Sequence, residues 1–381
     1  MAVYDYCMFL NENDLFELKI NQHWNFVDKF IVIEAGETHT GLKKTFNFDQ
    51  ERFKKYSEKI IYVTFDNFEE EMKKPENQIL INIWNNQPNQ PDAWKRDNFQ
   101  GNYIIKVLQE LGAKDDDIIY GGSIDELLKE EAFYEALKLF AAPAQWSTAP
   151  PKWNFSIGSL STKDILSGKA LYEPYQPEGH PLELKYFWEA TGKPQLLPTK
   201  VCRPIVGFHM DWYAYKFNLK SHIKSPMGLL AEHSTYKQLL PSTMRHMGLS
   251  THKPIGSPSY PAGWHFTFLD DSEGDMTKEK QRSWAHSEDK DGTYADWGEI
   301  NEKEELVLRL FIEHRLQKEE IKPGIFPQFL LDNLDKFKNY LYTGSVEEYI
   351  KNKVWEKYLD TGAVEEYIKN KVWEKYLDGC L

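Results

Sequence analysis

Cysteine is nearly absent. Cys7, Cys202 and Cys380 are scattered, odd in number and without paired metal-ligand spacing. That excludes a disulfide framework and a cysteine–zinc centre, and it fits a reducing compartment. Long apolar runs are missing too: none approaches the ~18 residues of a membrane helix. The opening Met1-Ala2-Val3-Tyr4-Asp5-Tyr6 has neither the basic flank nor the apolar core of a signal peptide. The expectation is a cytoplasmic protein with no membrane span. Basic charge is in short supply, with 46 Lys and Arg against 59 Asp and Glu and a net charge of −13. A generic polyanion-binding surface is therefore disfavoured, which leaves nucleic acid only a local basic groove.

What the chain has in quantity is aromatic side chains: 12 Trp, 21 Tyr and 22 Phe. Such rings stack on pyranose faces in sugar-handling sites, although most of them serve a core. The 381 residues give room for one large or two ordinary domains.

Val3 to Leu10 has the pattern of a strand, and Asn11-Glu12-Asn13-Asp14 can cap a helix carrying Leu15, Leu18, Ile20 and Trp24. Lys29 to Ala35 is a buried-type strand ending in Glu34-Ala35, with Gly36 to Gly41 as its loop. Lys59 to Phe65 is the next strand. A helix with Arg96, Gln100, Ile104 and Leu108 on it leads to the run Ile118-Ile119-Tyr120. This alternation predicts a parallel, doubly wound nucleotide-binding unit over the first ~140 residues. From 141 to 205 prolines and aromatics mark a loop-rich excursion that shapes an acceptor side. Strand-like segments return at Trp212 to Tyr215 and Gly263 to Phe268, and helical spacing returns from Glu302.

The most informative stretch is Asp115 to Leu127. An acidic turn feeds a β-branched and aromatic run, then Gly121-Gly122-Ser123, then the adjacent carboxylates Asp125 and Glu126. Strands of an α/β sheet hold ligands at their carboxyl ends, so this pair belongs at the mouth of a site. Paired carboxylates suit a hard divalent cation, and the cation suits a diphosphate. The alternative is that Asp125-Glu126 begins a helix, where acids suit the macrodipole. Glu34, ending the second strand, can accept from a ribose hydroxyl or serve a cap or ion pair. Arg96 and Gln100, four apart on a helix, share a face that lines a donor pocket or meets solvent.

The C-terminus carries an internal repeat. Val346 to Asp360 recurs unchanged 18 residues later as Val364 to Asp378. Ser345 and Glu348 form a capping box, whereas Ala363 before the second copy lacks the hydroxyl. The expectation is a helical tail over 321–381 that docks or self-associates through residues 346–378, or is a duplication tolerated at a chain end.

Several segments together resemble glycosyltransferase family 17, the group containing the bisecting β-1,4-N-acetylglucosaminyltransferases. They are Tyr4 to Glu12 with Asp14-Leu15 and Glu17, Val32 to Ala35 with Thr38 to Gly41, Trp94 to Asn102, Ala262 to Phe266, and Trp284 to Glu288. The resemblance covers roughly residues 3 to 315, weakly across 141–205. Two positions depart from it. The family's Asp-x-Asp-Glu is Ser123-Ile124-Asp125-Glu126 here, and Gly101 stands where an arginine is usual. The chain also opens without the membrane anchor of the family's animal members, which implies a cytoplasmic enzyme with a different acceptor.

The resemblance implies an α/β protein of the GT-A fold, a Rossmann-like, mostly parallel sheet flanked by helices, over residues 1–320 with the repeat tail beyond. It implies an inverting, nucleotide-sugar-dependent transferase that moves a sugar, GlcNAc from UDP-GlcNAc, onto a glycan or polysaccharide hydroxyl with Mn²⁺ or Mg²⁺. Donor-binding candidates are Glu34, Arg96, Gln100, Ser123 and Asp125. The metal ligands are Asp125 and His286, with His265 as runner-up. The general base is Glu288, or Asp271, Asp270 or Asp211. Trp264 is the candidate platform for the acceptor sugar, or a packed core residue. Two other readings stay open: a transferase acting on hydroxymethylated bases of DNA, and a non-catalytic glycan-binding scaffold derived from a transferase.

Overall fold

A computed structural model describes residues 1–81, 91–141, 204–223, 226–246, 254–271, 274–285, 303–350 and 352. The chain divides into two compact units. The first comprises Met1–Met210, Ser225–Gly263 and Ser283–Gly298. The second comprises Asp211–Lys224, Trp264–Arg282 and Glu299–Leu381. The 141–205 excursion falls almost wholly outside the described residues, as do His286, Glu288 and the second repeat copy. No helix among the described residues is long and apolar enough to cross a membrane.

In chain order the first unit begins with β1 (Val3–Phe9), α1 (Asn13–His23), β2 (Lys29–Ala35), β3 (Ile60–Phe65) and α2 (Phe68–Lys73). Then come α3 (Asp92–Asn102), α4 (Ile104–Glu110), β4 (Ile118–Gly121), β5 (Glu126–Leu128), α5 (Glu130–Ala141) and β6 (Ile205–Ala214), which runs on into the second unit. After β7 (Leu219–Lys220) in the second unit, the chain returns with β8 (Pro226–Glu232), α6 (His233–Leu239) and α7 (Pro241–His246).

The strands β3, β2, β1 and β4 lie side by side and parallel, with Phe9 beside Glu34 and Tyr6 beside Gly121. β8 then pairs antiparallel with β4, and β6 antiparallel with β8. The first half is thus the parallel arrangement expected, but the sheet as a whole is mixed. Ile31 and Ile33 point to one face, where they pack with Phe99, Ile104 and Leu108 of α3 and α4 and with Tyr236 of α6. Phe30, from the other face, meets Phe16 of α1 edge-on at 6.4 Å. Because both faces are covered, β2 is buried from Phe30 to Ala35 and its burial does not alternate.

The helix-start alternative for the acidic pair fails. Asp125-Glu126 does not open a helix: Glu126, Leu127 and Leu128 are all buried in the short strand β5, and the helix starts only at Glu130. Consecutive buried side chains suit a strand enclosed on both sides, and the macrodipole argument does not apply at Asp125.

The second unit contains the end of β6, β7, β9 (Gly263–Thr267, from Trp264 onward), α8 (Asp275–Ser283, as far as Arg282), α9 (Lys303–Glu313), β10 (Gln317–Lys318) and α10 (Gln328–Asp332). β7 pairs antiparallel with β6 and with β10. Phe217 centres an aromatic core with Phe266, Phe337 and Tyr340. A helical turn follows Ser345, whose hydroxyl accepts the Glu348 amide at 3.2 Å, as the capping box requires. In this first repeat copy Tyr349 packs on Phe311 at 4.6 Å and Ile350 is buried.

Candidate functional site

At the carboxyl ends of β1 and β4, entirely within the first unit, lies a cleft open to solvent. Tyr6, Cys7 and Met8 line it from β1, Gly121, Gly122 and Ser123 from β4 and its loop, Asp97, Asn98 and Gly101 from α3, and Ser242 and Arg245 from α7. The strand-to-loop junction must stay bare. A Cβ at Gly121 would fall against the Tyr236 hydroxyl, and one at Gly122 would lie 2.6 Å from the Tyr120 ring. Burial pushes the Cys7 thiol pKa far up, so this wall carries a neutral thiol and no thiolate.

The loop that carries Asp125 is fixed from beneath by three charged or polar side chains. Asp5 in β1 and Lys19 in α1 are each 1% exposed, and His23 is fully buried. The Lys19 ammonium stands 3.3 Å from Asp5 Oδ1. It donates to the carbonyls of Ser123 at 2.8 Å, Glu126 at 3.2 Å and Gly122 at 3.4 Å. His23 Nε2 accepts the Leu128 amide at 2.7 Å, so its Nδ1 carries the proton and donates to Asp5 Oδ2 at 2.6 Å. Burial holds the His23 pKa below its ordinary value although the Asp5 hydrogen bond opposes it. Lys19 and His23 are four apart on α1, which is why one helix face reaches both ends of the loop.

Asp125 and Glu126 are both buried. Glu126 Oε1 accepts from the Arg245 guanidinium at 2.6 Å, while Oε2 has no hydrogen-bond partner among the described residues. A buried carboxylate oxygen without a donor is costly unless a cation or ligand completes it. Asp125 and Glu126 are buried side chains of the donor type that a divalent cation takes. Oxygen donors of this kind suit Mn²⁺ or Mg²⁺.

The other candidates have structural partners. Glu34 is fully buried. Its Oε1 accepts from Lys44 and from the Asn47 amide at 2.7 Å, and its Oε2 from the Phe48 amide at 3.2 Å and the Tyr62 hydroxyl at 2.7 Å. Arg96 donates to the His39 carbonyl at 2.7 Å. Gln100 bridges the His39 ring at 2.8 Å and the Ile33 carbonyl at 2.8 Å. The shared face of α3 therefore clamps the loop after β2. Ser123 lines the cleft.

In the second unit Trp264 is buried and its indole N–H donates to the Ile325 carbonyl at 2.5 Å. The His265 ring meets Trp212 edge-on at 4.2 Å. Asp270 is buried and accepts the Thr277 amide at 2.8 Å, Asp211 pairs with Lys220 at 2.8 Å, and Asp271 is exposed.

Residues 1–140 match the family model for glycosyltransferase family 17. Over this segment the chain is similar to that family. No curated protein and no solved structure matches it. The family's chemistry is glycosyl transfer, and the family 17 segment holds β1 to β5, the acidic pair and the whole Asp5–Lys19–His23 support.

Arg245 lies outside that segment and had no motif to announce it, because α7 is a short helix of mixed composition. Asp5 did carry a signal. A carboxylate inside the apolar run Val3-Tyr4-Asp5-Tyr6-Cys7 must be paired once the strand is buried, and Lys19 and His23 had the spacing to do it.

Proposed function

We propose that the chain is an inverting, nucleotide-sugar-dependent glycosyltransferase of the GT-A type, moving GlcNAc from UDP-GlcNAc onto a hydroxyl of a glycan or polysaccharide. The observation that carries the reading is the buried Asp125-Glu126 pair just after β4, in the loop whose Gly121-Gly122-Ser123 segment lines an open cleft. The parallel β3-β2-β1-β4 run with helices on both faces supports the GT-A type. The family 17 match supports the reaction class.

In this reaction the acceptor oxygen bonds to the anomeric carbon as the bond from that carbon to the diphosphate breaks on the opposite side. The acceptor proton passes to a carboxylate base, for which Glu288 and then Asp271 are proposed. Asp125 would hold a divalent cation, with His286 as the proposed second ligand, and the cation would neutralise charge on the leaving diphosphate. Ser123 offers a hydroxyl to the donor in the cleft. Arg96 and Gln100 set the loop after β2, and the buried Asp5–Lys19–His23 group keeps the Asp125 loop in place, so little reorganisation is left for the reaction itself.

Calorimetric titration of UDP and UDP-GlcNAc, with and without Mn²⁺, tests the proposal. Metal-dependent binding that Asp125→Asn abolishes is the expected result. Binding indifferent to both metal and substitution would move the site or make the transfer metal-free, and no binding of either nucleotide would sink the reading.

A further inference from the structure

The Arg245–Glu126 pair is lopsided. The Glu126 carboxylate is 0% exposed, whereas the Arg245 side chain is 42% exposed and lines the cleft. A guanidinium carries five N–H donors, and the hydrogen bond recorded for it among the described residues uses one Nη2 donor, on Glu126 Oε1. Of the two glutamate oxygens, the other is buried and without a hydrogen-bond partner among the described residues. The pair thus has unused donors at its open end and an unused acceptor at its closed end. Among the described residues the cleft's remaining charged wall residue is Asp97, so with Arg245 held by Glu126 these residues leave no surplus positive charge to offer an anion.

We infer that Arg245 is the anion-binding arm of this cleft, kept on Glu126 until a divalent cation takes over the carboxylate, and that its ligand is the diphosphate of the donor. The inference rests on the nucleotide-sugar reading and adds to it a residue and a coupling. The cation competes with Arg245 for Glu126, the guanidinium turns its planar donor fork to the diphosphate, and each ligand raises the other's affinity by the same factor. No covalent bond is made or broken in the exchange.

The test is calorimetry on the full chain with UDP and with uridine, at zero and saturating Mn²⁺, comparing the parent protein with Arg245→Gln, Arg245→Lys and Glu126→Gln. Arg245→Gln should weaken UDP binding in Mn²⁺ roughly ten- to hundred-fold, the range for losing a hydrogen bond to a charged group, and leave uridine affinity unchanged. Arg245→Lys, which keeps the charge, should fall in between and guards against a folding defect in the glutamine variant. Glu126→Gln frees the guanidinium, so metal-free UDP binding should strengthen about ten-fold and the effect of Mn²⁺ should shrink. Parental UDP affinity in Arg245→Gln, or an unchanged Mn²⁺ effect in Glu126→Gln, overturns the inference while leaving the nucleotide reading intact. A parent protein that binds no UDP with or without Mn²⁺ overturns both.

Discussion

Replacing Lys19 with methionine removes a buried charge while keeping the length and most of the volume of the side chain. Among the described residues its ammonium has four oxygen partners: the Asp5 carboxylate at 3.3 Å and the carbonyls of Ser123, Glu126 and Gly122 at 2.8, 3.2 and 3.4 Å. Asp5 would keep only His23, and a buried carboxylate stripped of its cation typically costs about 3–5 kcal/mol. Lysine's own desolvation penalty is relieved at the same time, so the lower half of that range is expected. The assay is urea unfolding of Lys19→Met, Asp5→Asn and the double variant. In the double variant the neutral amide oxygen that replaces the Asp5 carboxylate still accepts from His23 Nδ1, and no charge is left alone. The double loss should therefore be at least about 1 kcal/mol smaller than the sum of the single losses, as for residues within one network. A single-variant loss below about 1 kcal/mol, or strict additivity, would refute the view that these groups act as one buried ionic unit.

Acid should destabilise the fold through its buried histidines. Burial lowers the folded-state pKa of His23 from 6.5, and lowers that of His314 to about 3 with help from nearby His222 and His265. Since the unfolded chain binds these protons first, stability is full above about pH 6.5 and falls as pH drops toward the folded-state values; melting at pH 5 should come at lower temperature than at pH 8. Glu34→Gln should lose about 3 kcal/mol by breaking a buried pair with Lys44 and weakening three hydrogen bonds, seen as a lower melting temperature with unchanged UDP affinity; the reverse pattern would assign Glu34 to the ribose. Ser345→Ala should cost roughly 1 kcal/mol of local helix stability, read as faster amide exchange at Glu348 and Tyr349.

The parallel half of the sheet was legible because β1, β2, β3 and β4 are short β-branched or aromatic runs bounded by turns, and the helices between them have their own period. The antiparallel insertion of β8 was not, since strand order depends on long-range pairing that Met227, Leu229, Leu230 and Ala231 do not encode locally. The acidic pair follows the strand Ile118–Gly121, as its place in the sequence indicated, but the helix-start alternative is not what the fold builds there. The two readings of Asp125-Glu126 differ by what covers Glu126, Leu127 and Leu128, which is tertiary information. Glu34, Arg96 and Gln100 show a related limit: a strand-end carboxylate and a helix face can be recognised in sequence, but the loop backbone that satisfies them cannot. Arg245 is the extreme case, a charged residue on a six-residue helix whose partner lies more than a hundred positions earlier.

The support beneath the acidic loop also says something about how the chain folds. Asp5, Lys19 and His23 all emerge early in synthesis, yet the groups that complete Lys19 and His23, at Gly122, Ser123, Glu126 and Leu128, are 103 to 107 residues further on. Until those residues arrive, burying β1 against α1 would leave the Lys19 ammonium with Asp5 but without its three carbonyl acceptors, and His23 Nε2 without its donor, so the final packing of the first strand and helix is disfavoured ahead of the loop. Contacts of such sequence separation are slow to form because the intervening chain must be ordered first. The Asp125 loop is thus a late-forming keystone of the first unit. Native order there reports that the whole of residues 1–128 has assembled, and a fragment ending before Leu128 should remain molten at its N-terminus.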